Sequence, residues 1–178
     1  MQYRVARDAF GTGALIERLN TLEDDDEAAL HKLAEDNVWQ PIQLMHTYGA
    51  NLDLVDFRGS TALMRAANVG NPDTVRTLLE LGVDVDAFDP EYERTALHLA
   101  VDYANVQCIK LLLDAGANPQ LRDMDGNTAR DVLKYSRQYE LEEEKQAVSL
   151  LLTSAVRGDA AARRDERPPT LHRQRSSR

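Results

Sequence analysis

Thr61-Ala62-Leu63-Met64-Arg65-Ala66-Ala67 returns 34 positions later as Thr95-Ala96-Leu97-His98-Leu99-Ala100, and an earlier run, Ala29-Leu30-His31-Lys32-Leu33-Ala34, has the same pattern. Each run leads to a closing glycine: Tyr48-Gly49-Ala50-Asn51, then Leu78-Leu79 with Leu81-Gly82-Val83-Asp84, then Leu111-Leu112-Leu113 with Ala115-Gly116-Ala117-Asn118. Gly49 and Gly82 are 33 residues apart, and Gly82 and Gly116 are 34 apart. Asp123-Met124-Asp125-Gly126-Asn127-Thr128-Ala129 opens a fourth unit, with Thr128 placed 33 residues after Thr95. Self-similarity at this period predicts stacked units, each too small to bury its own apolar face.

The repeated residue types have local reasons. Thr61, Thr95 and Thr128 stand where a helix begins, so a hydroxyl can serve its unpaired N–H groups. Leu63, Ala66 and Ala67 then share one helical face, on which small alanines allow close packing. Val75, Leu78 and Leu79 give a second helix its apolar stripe, and Gly82 supplies the left-handed residue that ends it. Gly59 and Gly126 permit tight turns between units.

Period, signature, leucine pairs and closing glycines together resemble the ankyrin repeat, whose pattern joins a β-turn to two helices under a T-P-L-H-x-A signature. Asp56-Phe57-Arg58-Gly59-Ser60-Thr61-Ala62-Leu63 follows its opening closely, and the resemblance covers about residues 23–152. It implies an all-α ankyrin-repeat solenoid of about four to five stacked helix pairs with β-turn or hairpin tips. The expected divisions are a helical N-terminal cap at 1–22, repeats at 23–55, 56–88 and 89–122, a degenerate capping repeat at 123–152, and a disordered basic tail at 153–178.

The departures from the family pattern are specific. Ala62 and Ala96 stand where proline is usual. Met64 replaces the signature histidine. The third unit has one residue more before Thr95, in Asp89-Pro90-Glu91-Tyr92-Glu93-Arg94, and no glycine there, so its tip is expected to be longer. In the fourth unit Arg130-Asp131 replaces Leu-His, and acidic Tyr139-Glu140-Leu141-Glu142-Glu143-Glu144 reads as part of a cap with a polar outer face. Leu15, Ile16 and Leu19 form the stripe of the N-terminal half-unit.

The chain has 178 residues and a formal charge of −9. Residues 1–152 carry 14 basic and 27 acidic side chains, a net −13, whereas 153–178 carry 7 basic and 3 acidic, a net +4. An acidic body disfavours duplex nucleic acid and suits a basic protein surface, or serves solubility alone. No stretch approaches the roughly 18 apolar residues of a membrane span, and the N-terminus lacks the apolar run of a secretory signal. A cytoplasmic monomer is expected, with nuclear entry through the basic tail as an alternative. Arg173-Gln174-Arg175-Ser176 also matches a basophilic kinase site, a pattern common by chance.

No catalytic constellation emerges. Gly11-Thr12-Gly13 lacks a preceding strand and a following Gly-Lys-Ser/Thr, so it reads as a helix start. Asp123-Met124-Asp125-Gly126-Asn127 places glycine one position early for a calcium loop, and Lys134 stands where that loop needs glutamate. Cys108, the single cysteine, cannot form an internal disulfide and sits at an interior-looking helical position. The four histidines make no finger-type metal pair, and the family resemblance implies that His31 and His98 bond between repeats. No enzyme activity, metal or cofactor is expected.

The resemblance implies protein binding along the turn tips and the inward faces of the first helices. The candidate contacts are Phe57, Arg58 and Arg65 in the second unit, Glu91, Tyr92, Glu93, Arg94, Asp102 and Tyr103 in the third, and Met124 and Tyr135 in the fourth. Aromatic residues and arginine suit interface hot spots. Phe57 and Phe88 could instead pack beneath the tips, and Trp39 is expected in the core. With Glu35, Asp36, Asp56, Asp84, Asp86 and Asp89 nearby, the expected partner is a protein or peptide with basic residues. An adaptor or inhibitor is the leading reading. The alternatives are a regulatory subunit of an enzyme or a host-directed effector, and a transcriptional cofactor.

Overall fold

In the computed structural model, residues 29–165 are described, with side chains to residue 156; the expected 1–22 cap, the opening of the first repeat and the end of the tail lie outside them. Eight helices follow in order among the described residues: α1 Ala29–Glu35, α2 Trp39–Thr47, α3 Ala62–Val69, α4 Pro72–Glu80, α5 Ala96–Asp102, α6 Val106–Asp114, α7 Ala129–Tyr135 and α8 Glu142–Asp165. They form four antiparallel pairs. First helices pack on first helices and second on second, so one continuous core runs from Leu30 to Leu152. Single antiparallel bridges, Val55 with Thr61, Phe88 with Thr95 and Arg122 with Thr128, close the second, third and fourth tips, each numbered by its repeat.

The first helices begin as their threonines predict. The Thr61 and Thr128 hydroxyls accept hydrogen bonds from the Met64 and Asp131 backbone N–H groups. Ala62, Ala66, Ala67, Ala96 and Ala100 are all buried, which brings α1, α3, α5 and α7 together in one row. Each first helix in the three complete turns ends on a residue with positive φ: Asn37 at 56°, Gly70 at 88° and Ala104 at 58°. In the longer third tip, Glu93 at φ 54° takes the left-handed place that Gly59 and Gly126 hold in the others.

Polar side chains tie each pair to the next. His31 Nε2 lies 3.0 Å from two carbonyl oxygens, that of Leu54 in its own repeat and that of Ser60 in the second. His98 Nδ1 accepts the Thr95 backbone N–H at 3.2 Å, which leaves the Nε2 proton to donate to the Asn127 carbonyl at 3.3 Å. Met64 fills the same place in the second repeat. Its sulfur receives the Thr61 N–H at 3.5 Å but makes no bond to the third repeat. At the far end of the helices, Asn71 donates to Ala34 and Glu35 carbonyls, and Asn105 to those of Ala67 and Asn68. In the fourth pair Ser136 and Tyr139 do this work, donating to Asp102 and Val101.

Burial is the main influence on His98 and holds its imidazole below the ordinary 6.5, against the pull of the Asn127 carbonyl. The unfolded chain therefore takes up a proton first as pH falls below 6.5, so stability is full above that value and declines beneath it. Urea midpoints should fall between about pH 7.5 and 5.5, and a His98→Met variant should show a smaller fall over that range. An equal fall in both proteins would assign the effect to another group.

The fourth pair is the last among the described residues. Asp131 stands in the histidine position and accepts the Thr128 N–H and hydroxyl within its own repeat. Lys134, then Thr128, hold its carboxyl far below the usual carboxylate range. Two expectations for this end are corrected. Helix α8 does not stop at 152 but runs to Asp165, where a disordered tail was expected, because Leu152 is buried and the alanine-rich stretch beyond it favours helix. The outer face of this end is not wholly polar, since Leu141, just before α8, and Leu150 on it are exposed as well as Glu142, Glu143 and Glu144. Trp39, expected in the core, is only half-buried because it opens α2 at the edge of the first pair. Cys108 is buried, and burial pushes its thiol up to about 11, which makes it a poor nucleophile. Among the described residues no helix is long and apolar enough to cross a membrane.

Candidate functional site between the second and third tips

Every tip is organised by one aspartate. Asp56 accepts the N–H groups of Arg58 and Ser60 at 2.9 and 2.8 Å. Asp89 accepts those of Glu91, Tyr92 and Arg94, and Asp123 those of Asp125 and Asn127. These carboxylates are buried, so the turn, rather than a partner, holds Asp56 and Asp89. Asp84 and Asp86 are likewise engaged in loop bonds: Asp84 accepts the Asp86 N–H, and Asp86 accepts the Asn118 N–H.

Two arginines connect these turns to their neighbours. Arg65, on α3, reaches Glu35 of the first repeat at 2.6 Å and also bonds Asp56 through Nε and Nη2. Burial pushes the Asp56 carboxyl up, but the Arg65 hydrogen bond, the Ser60 N–H, the Arg65 charge and the Arg58 N–H together hold it below its ordinary value. Arg94 bonds Asp102 on α5 at 3.1 Å and lies 3.9 Å from Asp123 of the fourth repeat. Both arginine side chains remain partly exposed.

Between these clamped boundaries lies a groove of about 530 Å³. Its walls bring together seven of the candidate residues, Phe57, Arg58, Arg65, Glu91, Tyr92, Arg94 and Tyr103. Phe57, Tyr92 and Tyr103 are 59, 51 and 48% exposed, so none is packed beneath a tip. Phe88, also 59% exposed, faces outward too. The Arg58 guanidinium sits 5.1 Å from the centre of the Phe57 ring, a cation–π contact that holds both side chains up from the tip.

Four candidates lie elsewhere. Glu93 lines a separate small cleft with Phe88, Thr95, Leu121 and Arg122. Asp102 is paired with Arg94. Met124 is exposed on the fourth tip, where its backbone N–H donates to the Tyr92 carbonyl at 2.9 Å. Tyr135 is 73% exposed at the end of α7, outside the groove. Leu99 lines the groove and was not singled out, although it is the register counterpart of Arg65, 34 residues on. A larger cleft of about 670 Å³ opens between α6 and α8, lined by Val106, Lys110, Ala147, Leu150 and Leu151. It gathers no aromatic ring and a single charged group, so it offers less to specify a partner. Among the described residues no group of three or more His, Cys, Asp or Glu side chains could hold a metal ion.

The family model for ankyrin repeats matches residues 11–89 and 30–123. A BTB/POZ domain and ankyrin repeat-containing protein of Oryza sativa, NH5.2, is 40% identical over 87 residues, which is 48% of this chain and 17% of the relative. The probable E3 ubiquitin-protein ligase XBOS34 of the same species is 39% identical over 97 residues, 52% of this chain and 18% of the relative. A transient receptor potential cation channel subfamily A member 1 homolog of Caenorhabditis elegans is 31% identical over 105 residues, 59% of this chain and 9% of the relative. The chain thus spans less than a fifth of each of these relatives. With the family model matching well over half of its length, the chain belongs to the ankyrin-repeat family.

Proposed function

We propose that the chain binds another protein, through an extended segment with basic residues laid in the groove between its second and third tips, and that it acts as an adaptor or inhibitor by occupying that surface. The carrying observation is the convergence of Phe57, Tyr92 and Tyr103, all about half exposed, on one groove. Large aromatic rings held open to solvent are side chains suited to interface hot spots. The charge around them supports a basic partner. Glu35, Asp56, Asp89, Glu91, Asp102 and Asp123 stand in or beside the groove against Arg58, Arg65 and Arg94, which leaves the local balance acidic even after the ion pairs are made. Ankyrin repeats are in general protein-interaction domains without catalytic chemistry. The relatives support the same reading: a ubiquitin ligase and a cation channel homolog share no reaction, so the part held in common is more simply a recognition element.

The test is affinity purification with mass spectrometry, comparing wild type with a Phe57→Ala/Tyr92→Ala/Tyr103→Ala variant of equal helicity. These rings are exposed, so their loss leaves the core intact. The variant should lose partners that wild type retains, by at least about 30-fold in affinity if two of the three are hot spots of about 1 kcal/mol or more each. Binding should also weaken with added salt. Partners retained equally by both proteins would remove the groove from the interface.

A further inference from the structure

The three boundaries between repeats are not held alike at the level of the tips. Across the first, His31 reaches the Ser60 carbonyl and Arg65 reaches Glu35. Across the third, His98 reaches Asn127, the Met124 N–H donates to the Tyr92 carbonyl, and Arg94 lies beside Asp123. Across the second, Met64 stands in the histidine place, and the described cross-boundary hydrogen bonds come instead from Asn105 at the far ends of the helices and from Asp86 in the loop. The second and third tips meet through packing: a methyl group on Gly59 would fall 2.1 Å from Pro90 Cδ. Proline has no N–H to offer a neighbouring tip. Hydrogen bonds fix a register, whereas van der Waals contact between smooth groups lets it shift.

We infer that the boundary between the second and third repeats is an unlocked joint in the wall of the groove. The third and fourth tips, bonded to each other, move as one body against the second tip. The alanine-packed helices α3 and α5 stay in contact beneath them. Phe57 and Arg58 lie on one side of this joint and Tyr92 and Arg94 on the other, so its movement changes the width of the groove. The surface therefore suits segments whose anchoring side chains differ in bulk. Met64 is the residue that leaves the joint open, because a histidine there would reach the Arg94 carbonyl, the register counterpart of Ser60 and Asn127. The consequence for binding rests on the groove being the partner site; the motion itself does not.

The experiment is amide relaxation dispersion on the full chain without a ligand, which reads microsecond-to-millisecond movement. The expected result is exchange at Arg58, Gly59, Tyr92 and Arg94 that exceeds exchange at Asp125 and Gly126 of the fourth tip and at Asn51 and Asp53 ahead of the first boundary. In Met64→His it should fall about fivefold, the change in population that one added hydrogen bond of ordinary strength produces. Flat profiles at the second boundary, or equal exchange at all three, would overturn the joint. Exchange unchanged by Met64→His would overturn the part given to Met64. The comparison of boundaries within wild type holds even should that variant fold poorly. A joint shown absent alongside a partner still lost by the triple alanine variant would leave the groove as a rigid binding site.

Discussion

Replacing Gly70 by alanine should cost about 3 kcal/mol of unfolding free energy, more than expected for a surface turn. Two penalties add at this one atom. Gly70 ends α3 at φ 88°, where a side chain is strained by about 1 kcal/mol. The new methyl group would also lie 2.4 Å from Asn105 Oδ1. Asn105 must then move, and its Nδ2 donates to both Ala67 and Asn68 carbonyls at the end of the same helix, two bonds of about 1 kcal/mol each. Gly82→Ala is the control. Its φ is 82° but nothing lies within 4 Å of the added group, so only the conformational penalty of about 1 kcal/mol applies. Urea unfolding of both variants, and of Gly70→Ala in an Asn105→Ala background, separates the two contributions. Equal losses for Gly70→Ala and Gly82→Ala would dispose of the Asn105 explanation.

Arg65→Met should cost about 2–3 kcal/mol at neutral pH and leave the fold otherwise intact. The Asp56 side chain is fully buried, and Arg65 supplies its only described side-chain bonds. Without the guanidinium, burial acts on a carboxylate supported by the Arg58 and Ser60 N–H groups alone. In wild type the Asp56 carboxyl is held below 3.8, so its contribution is full above that pH and is lost as pH falls through the depressed value. The stability gap between the two proteins should therefore narrow as pH approaches about 4, because protonation removes the buried charge that the variant cannot support. A gap that stays constant with pH would mean that the loss is packing rather than charge. Partner capture by the same variant should fall less than by the triple alanine variant, since Arg65 is already engaged by two carboxylates.

What could be read in the sequence follows how local each cause is. Thr61 and Thr128 cap the helices they precede, and the closing glycines carry positive φ, because these outcomes depend on a few neighbouring residues. His31 and His98 were readable through the family pattern, which encodes contacts made 23 to 29 residues away. The extent of α8 was less legible. A count of large apolar residues understated a segment that Val148 and Leu152 anchor in the core and that small residues carry onward. The groove was legible as a set of positions but not as a set of states. Phe57 was equally consistent with a place beneath its tip, and exposure had to decide it. Arg65 was read as a contact residue, while its bonds to Glu35 and Asp56 depend on the stacking of two repeats. Leu99 is not legible as a groove residue because an aliphatic residue in a leucine-rich helix reads as core, although its register with Arg65 places it on the same wall.

The asparagine bonds at the far ends of the helices have a direction. Asn71 serves carbonyls of the repeat before it, Asn105 does the same, and Ser136 and Tyr139 continue the order. Each unit is thus completed by its successor. During synthesis a ribosome delivers the units in that order, so a nascent repeat keeps an unfinished helix end until the following one has emerged. A stop codon late in the message would therefore damage two units, the one removed and the one left waiting, whereas a start shifted inward would spare the helix end it newly exposes.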